Sequence, residues 1–72
     1  SEMKTHMSKL ILCLEMDNWE KAEMFADSIK RLTSQAPKDI KVLALKLKMA
    51  VQKADYDQSV EKYNELKKIC DL

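Results

Sequence analysis

Glycine is absent from this chain, and proline occurs once, as Pro37. Tight β-hairpin turns draw on glycine for backbone conformations of positive φ, so a glycine-free sequence argues against an all-β domain and for helices with short links. Cysteine occurs only at Cys13 and Cys70, with no C-x-x-C pair. That is too few for a zinc site, and no metal or other cofactor is expected. Charge of one sign is also missing: 13 basic against 12 acidic residues leave a net charge of +1, too little to imply a polyanionic partner. No apolar run approaches the ~20 residues that span a bilayer. The longest, Leu10 to Leu14, is flanked by Lys9 and Glu15. The start, Ser1-Glu2-Met3-Lys4, lacks the basic and then apolar order of a secretion signal, so a cytoplasmic location without membrane insertion is the expectation.

What the chain does have is helical periodicity. Its 72 residues form one domain, which at this size buries only ~60 % of the surface its unfolded form exposes. From about Met3 to Met16, the residues Met3, Met7, Leu10, Ile11 and Leu14 form a core stripe, widened by Leu12 and Cys13. Asp17 and Glu20 then stand at capping-box spacing, and Ala22, Phe25, Ala26, Ile29 and Leu32 mark the inner face of a second helix reaching Ser34. Pro37 breaks this helix and opens a third at its first position, running to about Lys53. Ile40, Leu43, Ala44, Leu47, Ala50, Val51 and Ala54 hold its period, while Val42, Leu45 and Met49 add a second apolar strip. Asp55 and Gln58 form another capping box before a fourth helix, about Tyr56 to Asp71, whose stripe is Tyr56, Val60, Tyr63, Leu66 and Cys70, with Ile69 beside it. Four helices of matched length with short links predict an all-α, antiparallel up-down-up-down four-helix bundle. In such a bundle Cys13 and Cys70 stand near opposite ends, roughly 10–15 Å apart along the axis at 1.5 Å per residue, which predicts two free, mostly buried thiols.

Catalytic patterns are scarce. There is no glycine-rich phosphate loop, no HExxH and no Ser/His/Asp arrangement with local context, so an enzyme is not expected. The one histidine, His6, reads first as a surface residue. Its H-x-x-K spacing to Lys9 leaves phosphotransfer through His6 as a minor alternative. Lys38, Lys41, Lys46, Lys48 and Lys53 on the third helix do not fall on one line and have no interleaved exposed aromatic. They read as a solvated face rather than a nucleic-acid footprint. The outer side of the second helix is left, with Met24, Asp27, Ser28 and Arg31 at i, i+3, i+4 and i+7, and Lys30 beside them.

The stretch DNWEKAEMFADSIKRLTS, residues 17–34, resembles the signature helix of histidine phosphotransfer (HPt) domains, the relay modules of two-component signalling. That family typically shows an Asp/Asn-Trp start and then Ala-His-x-Leu-Lys-Gly. Asn18-Trp19 stands at the start here, and Ala26-Asp27-Ser28-Ile29-Lys30-Arg31 at the motif. The similarity extends over roughly residues 10–72, through the Leu-Ala-x-x-Leu pattern of the third helix and the acidic start of the fourth. It implies a bundle that docks a response-regulator receiver domain through Met24, Asp27, Ser28, Lys30 and Arg31, across helices 1 and 2. Two departures bear on activity. Asp27 stands where the family carries its phospho-accepting histidine, and Arg31 where it carries glycine. The resemblance therefore implies docking without phosphate transfer, in a unit cut from a larger kinase or regulator or standing alone. A second resemblance competes. DNWEKAEMF and DYDQSVEKY, with Phe25 and Tyr63 in matching places, are similar to the paired helices of tetratricopeptide (TPR) repeats, which would imply a scaffold binding a peptide in a concave face. The two readings differ in helix order: the bundle closes the fourth helix on the first, and the repeat pair does not.

Overall fold

A computed structural model describes all 72 residues as four α-helices: α1 (Glu2–Glu15), α2 (Trp19–Leu32), α3 (Lys38–Gln52) and α4 (Tyr56–Ile69). Each of 14 or 15 residues is ~21 Å long, which matches a body of 30 × 21 × 18 Å. Consecutive helices pack antiparallel, and a thinner seam of α1 against α4 closes the ring, while the diagonal pairs do not meet. This is the up-down-up-down bundle expected from the periodicities, with the closed helix order rather than an open stack of helix pairs. No helix is long and apolar enough to cross a membrane.

The core is a column through the middle of the ring. Met7, Leu10 and Leu14 enter from α1, Ala22, Ala26 and Ile29 from α2, Ala44, Leu47 and Val51 from α3, and Tyr63 and Leu66 from α4. Ala22, Ala26 and Ala44 are fully buried, small side chains beside the leucines that fill the centre. Trp19 and Phe25 pack against this column from its margin. Tyr56 is half out of the core stripe assigned to it, and its hydroxyl donates to the Glu15 carboxylate at 2.9 Å, tying the start of α4 to the end of α1.

The helix ends correct the sequence reading at two points. Asp17 does not cap α2. It lies just past the end of α1 in a left-handed conformation, φ 56°, and its N–H reaches Leu14 O while the Asn18 N–H reaches Cys13 O. This 6→1 and 5→2 pair is the Schellman closure, which needs one residue of positive φ. Asn18 is then the N-cap, its side chain accepting from the Lys21 N–H at 3.2 Å, and the Asp17 carboxylate turns to accept from the Trp19 indole N–H. The same closure ends α3 at Ala54 and α4 at Asp71, so a chain with no glycine makes three left-handed turns from two aspartates and an alanine. Pro37 is the N-cap of α3 rather than its first residue. Asp55 caps α4 as expected, accepting from the Gln58 N–H at 3.1 Å, although the Gln58 amide turns to Glu61 instead of back to the cap.

Several apolar residues expected inside are outside. Leu12, Leu32, Val42, Leu45, Met49 and Ile69 are exposed, as is Ala54. Leu12, Val42, Leu45 and Met49 lie on the far side of helices whose inner stripes already fill the space facing their neighbours, Leu32 and Ile69 lie at the margins of theirs, and Ala54 lies past the end of α3. Both cysteines are free thiols, Cys13 buried and Cys70 half-buried at the C-terminal cap, where burial foremost and the Asp39 charge push the Cys70 thiol up.

Candidate functional site

The inner face of α2 is committed to the core through Ala22, Ala26, Ile29 and Thr33, so Met24, Asp27 and Arg31 stand on the outer side by helical geometry alone. Asp27 is midway along the helix and is not packed inside. Its side chain remains 40 % exposed. Both carboxylate oxygens are nevertheless engaged. Arg31 Nη1 donates to Oδ2 at 2.6 Å from one turn further on, and Lys48 Nζ donates to Oδ1 at 2.8 Å from α3. The Lys48 hydrogen bond foremost holds the Asp27 carboxyl below its ordinary range. Partial desolvation opposes it, and the Lys48 and Arg31 charges reinforce it.

Ser28 completes the local net. Its hydroxyl donates to the Met24 carbonyl at 3.1 Å, back along the helix, and accepts from Arg31 Nη2 at 3.1 Å. Arg31 thus bridges the carboxylate and the hydroxyl with its two terminal nitrogens, an arrangement that its planar fork allows and a lysine would not. Lys30 is not part of this net. It faces a groove toward α3 that it lines with Thr33, Ser34, Lys38, Lys41, Val42 and Leu45. Of the five residues expected together, the structure joins Met24, Asp27, Ser28 and Arg31 and sets Lys30 aside.

The cluster also leans differently from the expectation. Lys48 places Asp27 at the α2–α3 seam, whereas Phe25 marks the side of α2 turned to α1. Lys48 is the member that sequence reasoning missed, since it lies 21 residues away and no local spacing links it to Asp27. Met24 stands between the two sides. It borders the Asp27–Lys48 pocket with Glu23 and Gln52, and also a shallow apolar depression formed with Leu12, Met16 and Phe25 between α1 and α2. Met16, Met24 and Leu12 are 74, 64 and 60 % exposed, the most open large apolar side chains of the molecule, and Lys9 and Lys21 rim them.

His6 lies on the same side of the bundle. Its Nδ1 is 2.7 Å from the Glu2 carbonyl oxygen, which can only accept, so Nδ1 is the donor of this hydrogen bond. The ring meets Phe25 edge-on at 6.0 Å, and Lys9 Nζ stands 5.9 Å from the centre of the Phe25 ring. His6 and Lys9 are therefore anchored around an aromatic of α2, remote from the Asp27 net. Nowhere in the chain do three His, Cys, Asp or Glu side chains converge in a way that could hold a metal ion.

Comparison with family models, curated proteins and solved structures finds no match to this chain.

Proposed function

We propose that this bundle is an HPt-like docking module of two-component signalling, one that binds a receiver domain without itself accepting phosphate. The observation that carries the reading is the position and state of Asp27. It stands where the resemblance puts the family's histidine, on an outward, partly open helix, with both oxygens held by cations. A carboxylate ion-paired on each oxygen is a poor nucleophile, and an aspartate that accepts a phosphoryl group needs a metal-holding acidic pocket, whereas Asp27 is flanked by Lys48 and Arg31. The Arg31 side chain fills the space that a glycine would leave beside it. What is left for a partner is a mixed surface. The open methionines and Leu12 supply adaptable apolar contact, and Arg31 supplies a charged, directional one.

The closed ring supports this reading over the repeat-scaffold alternative, because α4 on α1 leaves no concave face between helix pairs. The test is transfer and binding measured together. Receivers charged with labelled acetyl phosphate are expected to bind the domain but leave no acid-labile label on it. Met24→Ala and Arg31→Glu are expected to weaken binding, and Lys46→Ala is not. Stable acid-labile label on the wild-type chain would overturn the proposal, and its specific loss in His6→Ala would move the site to His6. A receiver interface mapped to α3 would also defeat it.

A further inference from the structure

The outer face of α3 carries a second, independent pattern. With the α3 core stripe facing inward, Val42, Leu45 and Met49 line the outermost strip at 37, 42 and 45 % exposure. Their spacing of three and four is that of alternating a and d positions in a heptad. In that register Lys41 and Lys48 fall at g, and Lys46 and Lys53 at e, while buried Leu47 falls at f, the position farthest from the seam. Two rows of lysines therefore flank one apolar strip. The lysines do not form the single line that a nucleic-acid footprint would use; they form the two lines that border a helix-packing seam. Among them only Lys48 has an ion-pair partner, Asp27, and the sole acid of the two rows, Asp39 at e, is occupied with the Ile40 N–H at the start of the helix. Lys30 and Lys38 add two further unpaired cations beside Val42 and Leu45.

We infer that this face is half of a short heterotypic coiled coil and that its occupant is an acidic amphipathic helix of a partner protein, with apolar residues at a and d and glutamate or aspartate at e and g. A second copy of this chain does not fit, because lysine rows would meet lysine rows in either orientation. A lipid surface fits less well than a helix. The three apolar side chains are each more than half covered and sit between the lysine rows, which suits knobs inserted from a facing helix better than burial in acyl chains. The bundle holds α3 in helical form before any partner arrives, so only the partner must order on binding. This surface is distinct from the proposed receiver face on α1 and α2 and meets it only at Lys48, which pairs with Asp27.

The experiment is a titration of the whole chain with a labelled synthetic peptide of about three heptads, long enough to be marginally helical alone, with leucine or isoleucine at a and d and glutamate at e and g. Anisotropy and amide chemical shifts are read together. Binding is expected with shifts along residues 38–53. It should fall about tenfold or more in Leu45→Glu, which sets a charge in the seam, and weaken with added salt. Lys46→Glu with Lys53→Glu should lose the glutamate peptide and gain its lysine counterpart, while Met24→Ala binds as the wild type. The proposal is overturned if the wild type fails to bind, if glutamate and lysine peptides bind alike, or if the shifts fall on α1 and α2. It is also overturned if the peptide is ignored while phosphatidylserine vesicles bind in a Leu45-dependent manner. Far-UV circular dichroism of each variant checks that the exposed substitutions leave the bundle intact.

Discussion

Ala54 is the one residue of this chain held in a left-handed conformation with neither glycine's freedom nor a side-chain amide or carboxylate to help. At φ 53° it closes α3, its N–H on Val51 O and the following Asp55 N–H on Ala50 O. A Cβ in this region costs roughly 1–2 kcal/mol. Glycine would relieve that strain but would give the unfolded chain more conformational freedom, which offsets about 0.4–1 kcal/mol. The balance for Ala54→Gly is a gain of ~0.5–1 kcal/mol, and because Ala54 is exposed, no packing is lost with the methyl group. In a domain of this size that corresponds to a rise in melting temperature of ~2–8 °C. Urea unfolding followed by circular dichroism measures it, with Ala54→Val as the opposite control. A β-branched side chain at positive φ should destabilise by more than the glycine stabilises. An unchanged or lower midpoint for Ala54→Gly at constant m-value would refute the left-handed closure, and with it the assigned link between α3 and α4.

Three further outcomes follow from the packing. Ser59 is fully buried on α4 with a hydroxyl that has no hydrogen-bond partner, so Ser59→Ala should stabilise by ~1 kcal/mol in the same unfolding assay. Leu47→Ala should cost ~2–5 kcal/mol because Leu47 is wholly inside, whereas Leu45→Ala, two residues away on the outer strip, should stay within about 0.5 kcal/mol. Asp27 has a depressed carboxyl pKa in the folded chain, so its contribution to stability is complete above its ordinary value of 3.8 and is lost as the pH falls through the lower folded value. Asp27→Asn should therefore flatten the acid limb of the stability profile. An acid limb unchanged from wild type would show that the Lys48 and Arg31 contacts carry no weight in solution.

The parts of the fold legible in the sequence are those decided within a turn or two of chain. The Pro37 break, the Asp55 cap and the inner stripes of α1, α2 and α4 depend on neighbours three or four residues away, and they appear where the spacing put them except at Leu32 and Tyr56, which are exposed. The α1–α2 link departs from the expected cap for a local reason as well. Asp17 and Asn18 are both good caps, and the choice between them turns on which one takes positive φ to close the preceding helix. Helix α3 was harder because it is apolar on two sides. Periodicity identifies both strips but not which one the bundle claims, and that is settled by the facing residues Ala22, Ala26, Leu66 and Tyr63 rather than by anything in α3.

Lys48 shows the limit from the other direction. As a member of α3 it is one of several lysines at regular spacing, with no property of its own to distinguish it from Lys41 one heptad earlier. The ring places it against Asp27, and the same carboxylate that the sequence offers as a vacant relay position becomes the shared acceptor of two cations. The placement has a chemical consequence for both outward faces. Lys48 is the one lysine of the α3 rows with an intramolecular carboxylate, so an acidic helix seated on α3 must compete with Asp27 for it. Any such competition loosens the clamp on Asp27 from the α3 side while leaving Arg31 in place from its own turn of α2, so the two faces are coupled through a single ammonium group.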